Sequence, residues 1–112
     1  MKRKAFFLTV TFIGALTAAR ADDNPADAVA QGRQLVEQKK CSICHSIDGK
    51  GGKIGKPLNG IAEGKTDDFL SQALLDPKKA IAPDTKMPSY RDKLKDEEVK
   101  AVVEYLKSLK KQ

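Results

Sequence analysis

Both cysteines of this chain and its single histidine stand within five consecutive residues, Cys41-Ser42-Ile43-Cys44-His45. No other feature narrows the possible folds as much. With 112 residues the chain has room for one domain, and it carries no Trp, four Phe and two Tyr. A domain that small and that poor in aromatics has little apolar surface to bury, so it depends on a staple: disulfides, a metal or a bulky cofactor. All the thiols and the imidazole that could supply one are gathered here.

The chain begins with an address rather than with fold. Lys2, Arg3 and Lys4 form a basic start, an apolar run follows from Ala5 to Ala19, and Ala19-Arg20-Ala21 is a small-residue site before Asp22-Asp23. That order is a secretory signal peptide, residues 1–21, with cleavage expected after Ala21 and a mature domain of residues 22–112. The alternative is a retained anchor. The run is short of the ~20 apolar residues a spanning helix needs, and Thr9, Thr11, Gly14 and Thr17 interrupt it. No stable membrane insertion is therefore expected after cleavage. The leader takes four of the 21 basic residues and none of the 15 acidic ones, lowering the net charge from +6 to +2. So modest a charge does not provide the dense basic face of a nucleic-acid-binding domain.

Asn24-Pro25 pairs a capping side chain with proline at the first helical position, and Val29, Gly32, Leu35 and Val36 recur at helical spacing to about Lys40. Gly32 in mid-helix is either a tolerated poor helix former or the place where another helix crosses closely. From Ser46 to Gly64 seven residues, six of them glycines and the other Pro57, break every periodic pattern, and the segment reads as loop. Thr66 is placed to cap a short helix through Leu75 with Phe69, Ala73 and Leu74 on its apolar face; Asp76-Pro77 ends it. A second loop, holding Pro83 and Pro88, runs to about Lys93. The last helix is the clearest: Val99, Val102, Val103, Leu106 and Leu109 form one stripe flanked by Ala101 and Tyr105, with Asp96 as the expected cap. No segment alternates convincingly as a strand. The fold class is all-α.

Three chemistries compete for Cys-x-x-Cys-His. A thioredoxin-like redox pair belongs in a strand-and-helix pattern that this chain lacks. A structural zinc site takes four ligands, and no second Cys/His cluster completes Cys41, Cys44 and His45. The third is covalent c-type haem attachment. Cysteines three apart lie about one helical turn from each other, so both sulfurs can reach the two vinyl groups on one porphyrin edge as thioethers, and His45 then turns its ring to the iron. Export agrees with this, because bacteria make the attachment outside the cytoplasm.

A single histidine excludes a bis-histidine iron within one chain. Methionine is the next common partner in c-type haems. Met1 leaves with the leader, so the candidate is Met87 in Lys86-Met87-Pro88, 42 residues beyond His45 and away from any apolar stripe. The plain alternative is a core methionine.

These motifs resemble those of small bacterial class I cytochromes c, each with one haem. The likeness runs over residues 28–110, through "GRQLVEQKKCSICH", "GKGGKIGKPLNGI", "KMPSY" and "DEEVKAVVEYLKSL". It implies a small cytochrome c fold whose first and last helices cross, with Gly32 and Val36 facing Val102, Tyr105 and Leu106. It also implies one covalent haem c on Cys41 and Cys44, His45 as proximal ligand and Met87 as distal ligand. Members often carry Gly-Pro-x-Leu after the haem site, with the proline carbonyl accepting from the histidine. Here Gly55-Lys56-Pro57-Leu58 leaves that role between Lys56 and Pro57. The Trp with which mitochondrial relatives bind a propionate is missing; Tyr90, Arg91 or a loop lysine could stand in. Lys95 occupies the usual Ser/Thr cap of the last helix, which is why Asp96 is expected to serve.

An iron with both axial positions filled has no open site for substrate, so the expected function is one-electron transport and not enzymatic turnover. The expected location is the periplasm, as a soluble monomer meeting redox proteins. Lys39, Lys40, Lys50, Lys53 and Lys56 surround the attachment motif and Lys78, Lys79 and Lys86 approach Met87, while acids collect at Asp67, Asp68 and Asp96–Glu98. This asymmetry would steer partners with acidic docking surfaces, although an ordinary mixed surface would also contain it. The alternative function is a haem-based ligand sensor in which Met87 is displaced.

Overall fold

The structure, a computed structural model, describes Gly14 and residues 24–112; the rest of the expected leader, and its cleavage site, lie outside them. Four helices carry the fold. The first, α1, spans Pro25–Gln38. Its N-terminus forms where the sequence places it, because Asn24 Oδ1 accepts from the N–H of Ala26 at 3.0 Å and Pro25 needs no partner for a missing donor. α1 buries Ala28, Gly32, Leu35 and Val36, chiefly against the last helix, α4, Asp96–Ser108. Val99, Val102, Val103 and Leu106 of the expected stripe are buried, together with Ala101 and Tyr105, while Leu109 stands half-buried just past the helix end.

At the crossing Gly32 meets the backbone of its neighbour. A Cβ there would stand 2.7 Å from both the carbonyl carbon of Ala101 and the Cβ of Tyr105, closer than atoms of folded proteins approach. Gly32 is therefore the point of close helix contact. Ala101, read from sequence as a flanking residue, is the partner that makes the approach possible.

Asp96 is not the cap of α4. The chain is still extended at Lys95 (φ −73°, ψ 161°), so Lys95 is the capping residue and Asp96 the first helical one. A lysine side chain has no acceptor. Half of a capping box survives nonetheless: the N–H of Lys95 donates to Glu98 Oε1 at 2.9 Å.

Between these helices lie α2, Asp67–Leu75, and the single turn α3, Pro77–Ala80. Thr66 Oγ1 caps α2 by accepting from Phe69 N–H at 3.0 Å. The buried face is Leu70 and Leu74, four apart, not Phe69, which turns outward beneath the Lys65 ammonium. Pro77 does stop α2, but as a first-turn proline it also starts α3, which the sequence reading placed in loop. The following loop returns to the end of α2: Tyr90 N–H donates to the Leu74 carbonyl at 2.9 Å and Ser89 Oγ to that of Leu75 at 2.6 Å.

The segment read wholly as loop contains a minimal antiparallel hairpin. β1, Ser46–Ile47, pairs with β2, Lys50–Gly51, in the register Ser46 to Gly51 and Ile47 to Lys50. Asp48 and Gly49 close it with φ of 52° and 80°, the left-handed pair that a two-residue hairpin turn requires. The architecture is a small all-α fold with one hairpin just beyond the Cys/His cluster.

Candidate functional site

The cluster sits on a 3₁₀ turn, Cys41–Ile43, directly after α1. Lys40 makes the transition in a left-handed conformation (φ 58°, ψ 38°) that bends the chain away from the helix axis. The Cys41 carbonyl then accepts from the N–H of Cys44 at 3.2 Å and of His45 at 3.0 Å. Both thiols are free and half-buried. Burial pushes the Cys41 thiol above its ordinary range, partly offset by a hydrogen bond with the Tyr90 hydroxyl.

The glycine-bearing loop folds back along this turn. Gly52 N–H donates to the Ser42 carbonyl at 2.8 Å, Gly55 N–H to that of Cys44 at 2.8 Å, and Leu58 N–H to that of Ser46 at 2.9 Å. At Gly55 the backbone lies flat against the imidazole: an added Cβ would be 2.5 Å from His45 Cε1 and 2.6 Å from Nδ1. One residue on, the Lys56 carbonyl is 2.6 Å from His45 Nδ1. A carbonyl only accepts, so Nδ1 carries the proton and donates. The neutral ring therefore keeps its lone pair on Nε2, available to a metal. The open choice between Lys56 and Pro57 falls on Lys56.

Met87 lies in the second loop, half-buried, packed on the same hydrophobic cluster that Cys41 touches. Its N–H donates to Thr85 Oγ1 at 3.3 Å. Three residues later Tyr90 is 9% exposed and lines the same small cavity as Cys41, so the methionine loop and the cysteine turn meet there. Tyr90, considered from sequence for a propionate, thus stands beside the Cys41 turn. Its own pKa is raised, first by burial. Ile43, between the two cysteines, and Ile54, beside Gly55, are exposed at 63% and 76%. Apolar side chains at those positions match a flat apolar macrocycle better than a hydrated ion. The donor set fits a haem: two free thiols one turn apart, an imidazole with its tautomer fixed, and a thioether on a loop packed to the same core.

Sequence reasoning missed the hairpin and the part played by Gly55. The first had a local signal, Asp-Gly between short segments. The second had none, because several glycines in the stretch are equal candidates for close approach.

These features define a small helical protein with a Cys-x-x-Cys-His turn packed against its first helix. The cytochrome c family model matches residues 29–110. Cytochrome c55X of Paracoccus denitrificans (strain Pd 1222) is 34% identical over 94 residues, covering 81% of this chain and 85% of that protein. Cytochrome c oxidase subunit 2 of Alkalihalophilus pseudofirmus is 30% identical over 97 residues, 79% of this chain. This chain spans only 28% of that longer subunit. The chain belongs to the cytochrome c family, whose members hold covalently bound haem c and generally function in electron transfer.

Proposed function

We propose that the chain is an exported, periplasmic cytochrome c carrying single electrons between redox proteins, with one haem held by thioethers to Cys41 and Cys44 and its iron between His45 and Met87. The observation that carries this reading is the 2.6 Å contact from His45 Nδ1 to the Lys56 carbonyl, which presents Nε2 as a ligand and holds the ring still. The bound haem would supply the one-electron exchange between ferric and ferrous iron.

The chain's residues would do the rest. Cys41 and Cys44, on one rigid turn, would fix the cofactor against α1, and Gly55 would keep the imidazole from rotating. Met87 would fill the sixth position with a soft thioether, which favours the ferrous state and leaves no open site for substrate. Among the described residues no helix is long and apolar enough to cross a membrane, and the carrier would be released by cleavage after Ala21. Of the lysines around the motif and Met87, all but half-buried Lys39 are exposed, and among the described residues none forms an ion pair. They are free to steer acidic partners, with the carrier a monomer that binds no nucleic acid.

The test is to express the chain with a haem-attachment system, purify it and denature it. Haem should stay with the unfolded chain, and the C41S/C44S variant should release it. A redox titration of the native protein should follow a reversible one-electron curve. Haem that extracts freely from the unfolded wild-type chain would overturn the proposal.

A further inference from the structure

The side-chain amide of Asn59 makes three hydrogen bonds to two distant parts of the chain. Its Oδ1 accepts from the N–H of Asp48 at 2.7 Å. Its Nδ2 donates to Asp48 Oδ1 at 2.8 Å and to the Lys110 carbonyl at 3.0 Å. Both Nδ2 hydrogens are thus engaged. The next residue extends the joint, since Gly60 N–H donates to the Leu109 carbonyl at 3.0 Å. One amide therefore fastens the tip of the β1–β2 hairpin to the chain just beyond α4.

The placement of this clasp gives it a consequence for His45. Asp48 lies three residues after His45, and Asn59 three residues after Lys56. The two residues joined at 2.6 Å by the imidazole hydrogen bond therefore stand just before each jaw of the clasp. Leu58 anchors the same loop to the core by apolar packing, and among the described residues Asn59 alone ties it to the chain beyond α4 by a side-chain hydrogen bond.

We propose that Asn59 is a positioning residue for His45: by locking the loop against the end of α4 it sets the hydrogen bond from the imidazole to the Lys56 carbonyl, and through it how strongly His45 donates to iron. This rests on the haem reading given above. A carbonyl accepting from Nδ1–H makes the imidazole more basic and so favours the ferric state. A slack clasp weakens that bond and raises the midpoint potential. Asp48 takes part as acceptor, and an asparagine in its place keeps an oxygen and tolerates the left-handed φ.

The experiment compares wild-type, N59A and D48N holoproteins by redox titration and by solvent exchange of the His45 Nδ1 proton in NMR. N59S serves as the milder variant should N59A fail to accumulate. N59A or N59S is expected to raise the midpoint potential and to speed ring-proton exchange about fivefold, the worth of one modest hydrogen bond. D48N should stay near wild type in both. Lower thermal stability with unchanged potential and exchange would overturn the proposal, leaving Asn59 a structural tie alone. Wild-type protein carrying no haem would overturn the haem reading and this one with it; a haem-bearing variant with unmoved readouts overturns only this one.

Discussion

A methyl group on Gly55 would have nowhere to go. It would lie 2.5 and 2.6 Å from two atoms of the His45 ring, which the Lys56 carbonyl holds through Nδ1. The G55A variant is expected to push the ring off that carbonyl and lose on the order of 1–3 kcal/mol, the usual cost of forcing atoms into a filled site. Denaturant unfolding of the holoprotein would measure the loss, and wild-type stability in G55A would contradict the packing described. This residue also marks how far the sequence could be read. Cys41, Cys44 and His45 could be singled out because the chemistry expected of them depends on spacing within one turn. That the carbonyl of Lys56 and not of Pro57 accepts from the imidazole depends on where the loop backbone returns, and hydrogen bonds spread over Ser42, Cys44 and Ser46 decide that. Met87 was singled out by elimination, as the sole methionine outside the expected leader, and the structure places it on a half-buried loop packed against the core.

The helices were legible wherever their signals are local. Asn24 and Thr66 cap α1 and α2 as their side chains allow, and the apolar period of α4 is the buried face. Position 95 misled because capping is a property of backbone conformation first. The chain leaves the extended region at Lys95 whatever its side chain, and Glu98 satisfies the N–H that remains. Phe69 misled for another reason: its size suggested core, yet Leu70 and Leu74 fill the space against α4 and leave it outside. The α1–α4 crossing gives the firmest expectation at this level. Replacing Gly32 by Ala should gain about 1 kcal/mol of helix propensity, yet the new Cβ would meet backbone at Ala101, which cannot rotate aside. The clash should win. G32A is expected to lower the melting temperature of the holoprotein, and a higher one would show that the helices can separate at little cost.

Across the whole molecule the charges are unevenly placed. Three ion pairs occur among the described residues, and two of them share Lys107, which joins α4 to Asp67 of α2. These exposed pairs contribute little to stability. Among the described residues the lysines near the attachment motif and Met87 have no such partners. Rates of electron exchange with an acidic redox partner are expected to fall steadily as salt rises, because the screening length is about 10 Å at 0.1 M ionic strength. A flat salt response in stopped-flow kinetics would remove steering from the account. The clasp of Asn59 with Asp48 and Lys110 belongs to this scale too. It joins residues as much as 51 positions apart, and no local pattern in the sequence announces such a contact.

The central claim is that the iron is held between His45 and Met87, and the absorption spectrum of the purified holoprotein tests it most directly. The oxidised protein is expected to show the weak near-infrared sulfur-to-iron band, to lose it in M87A, and to remain unchanged when reduced under carbon monoxide. A wild-type spectrum without that band, with ready carbon monoxide binding on reduction, would contradict the account and make the protein a ligand sensor instead of a carrier.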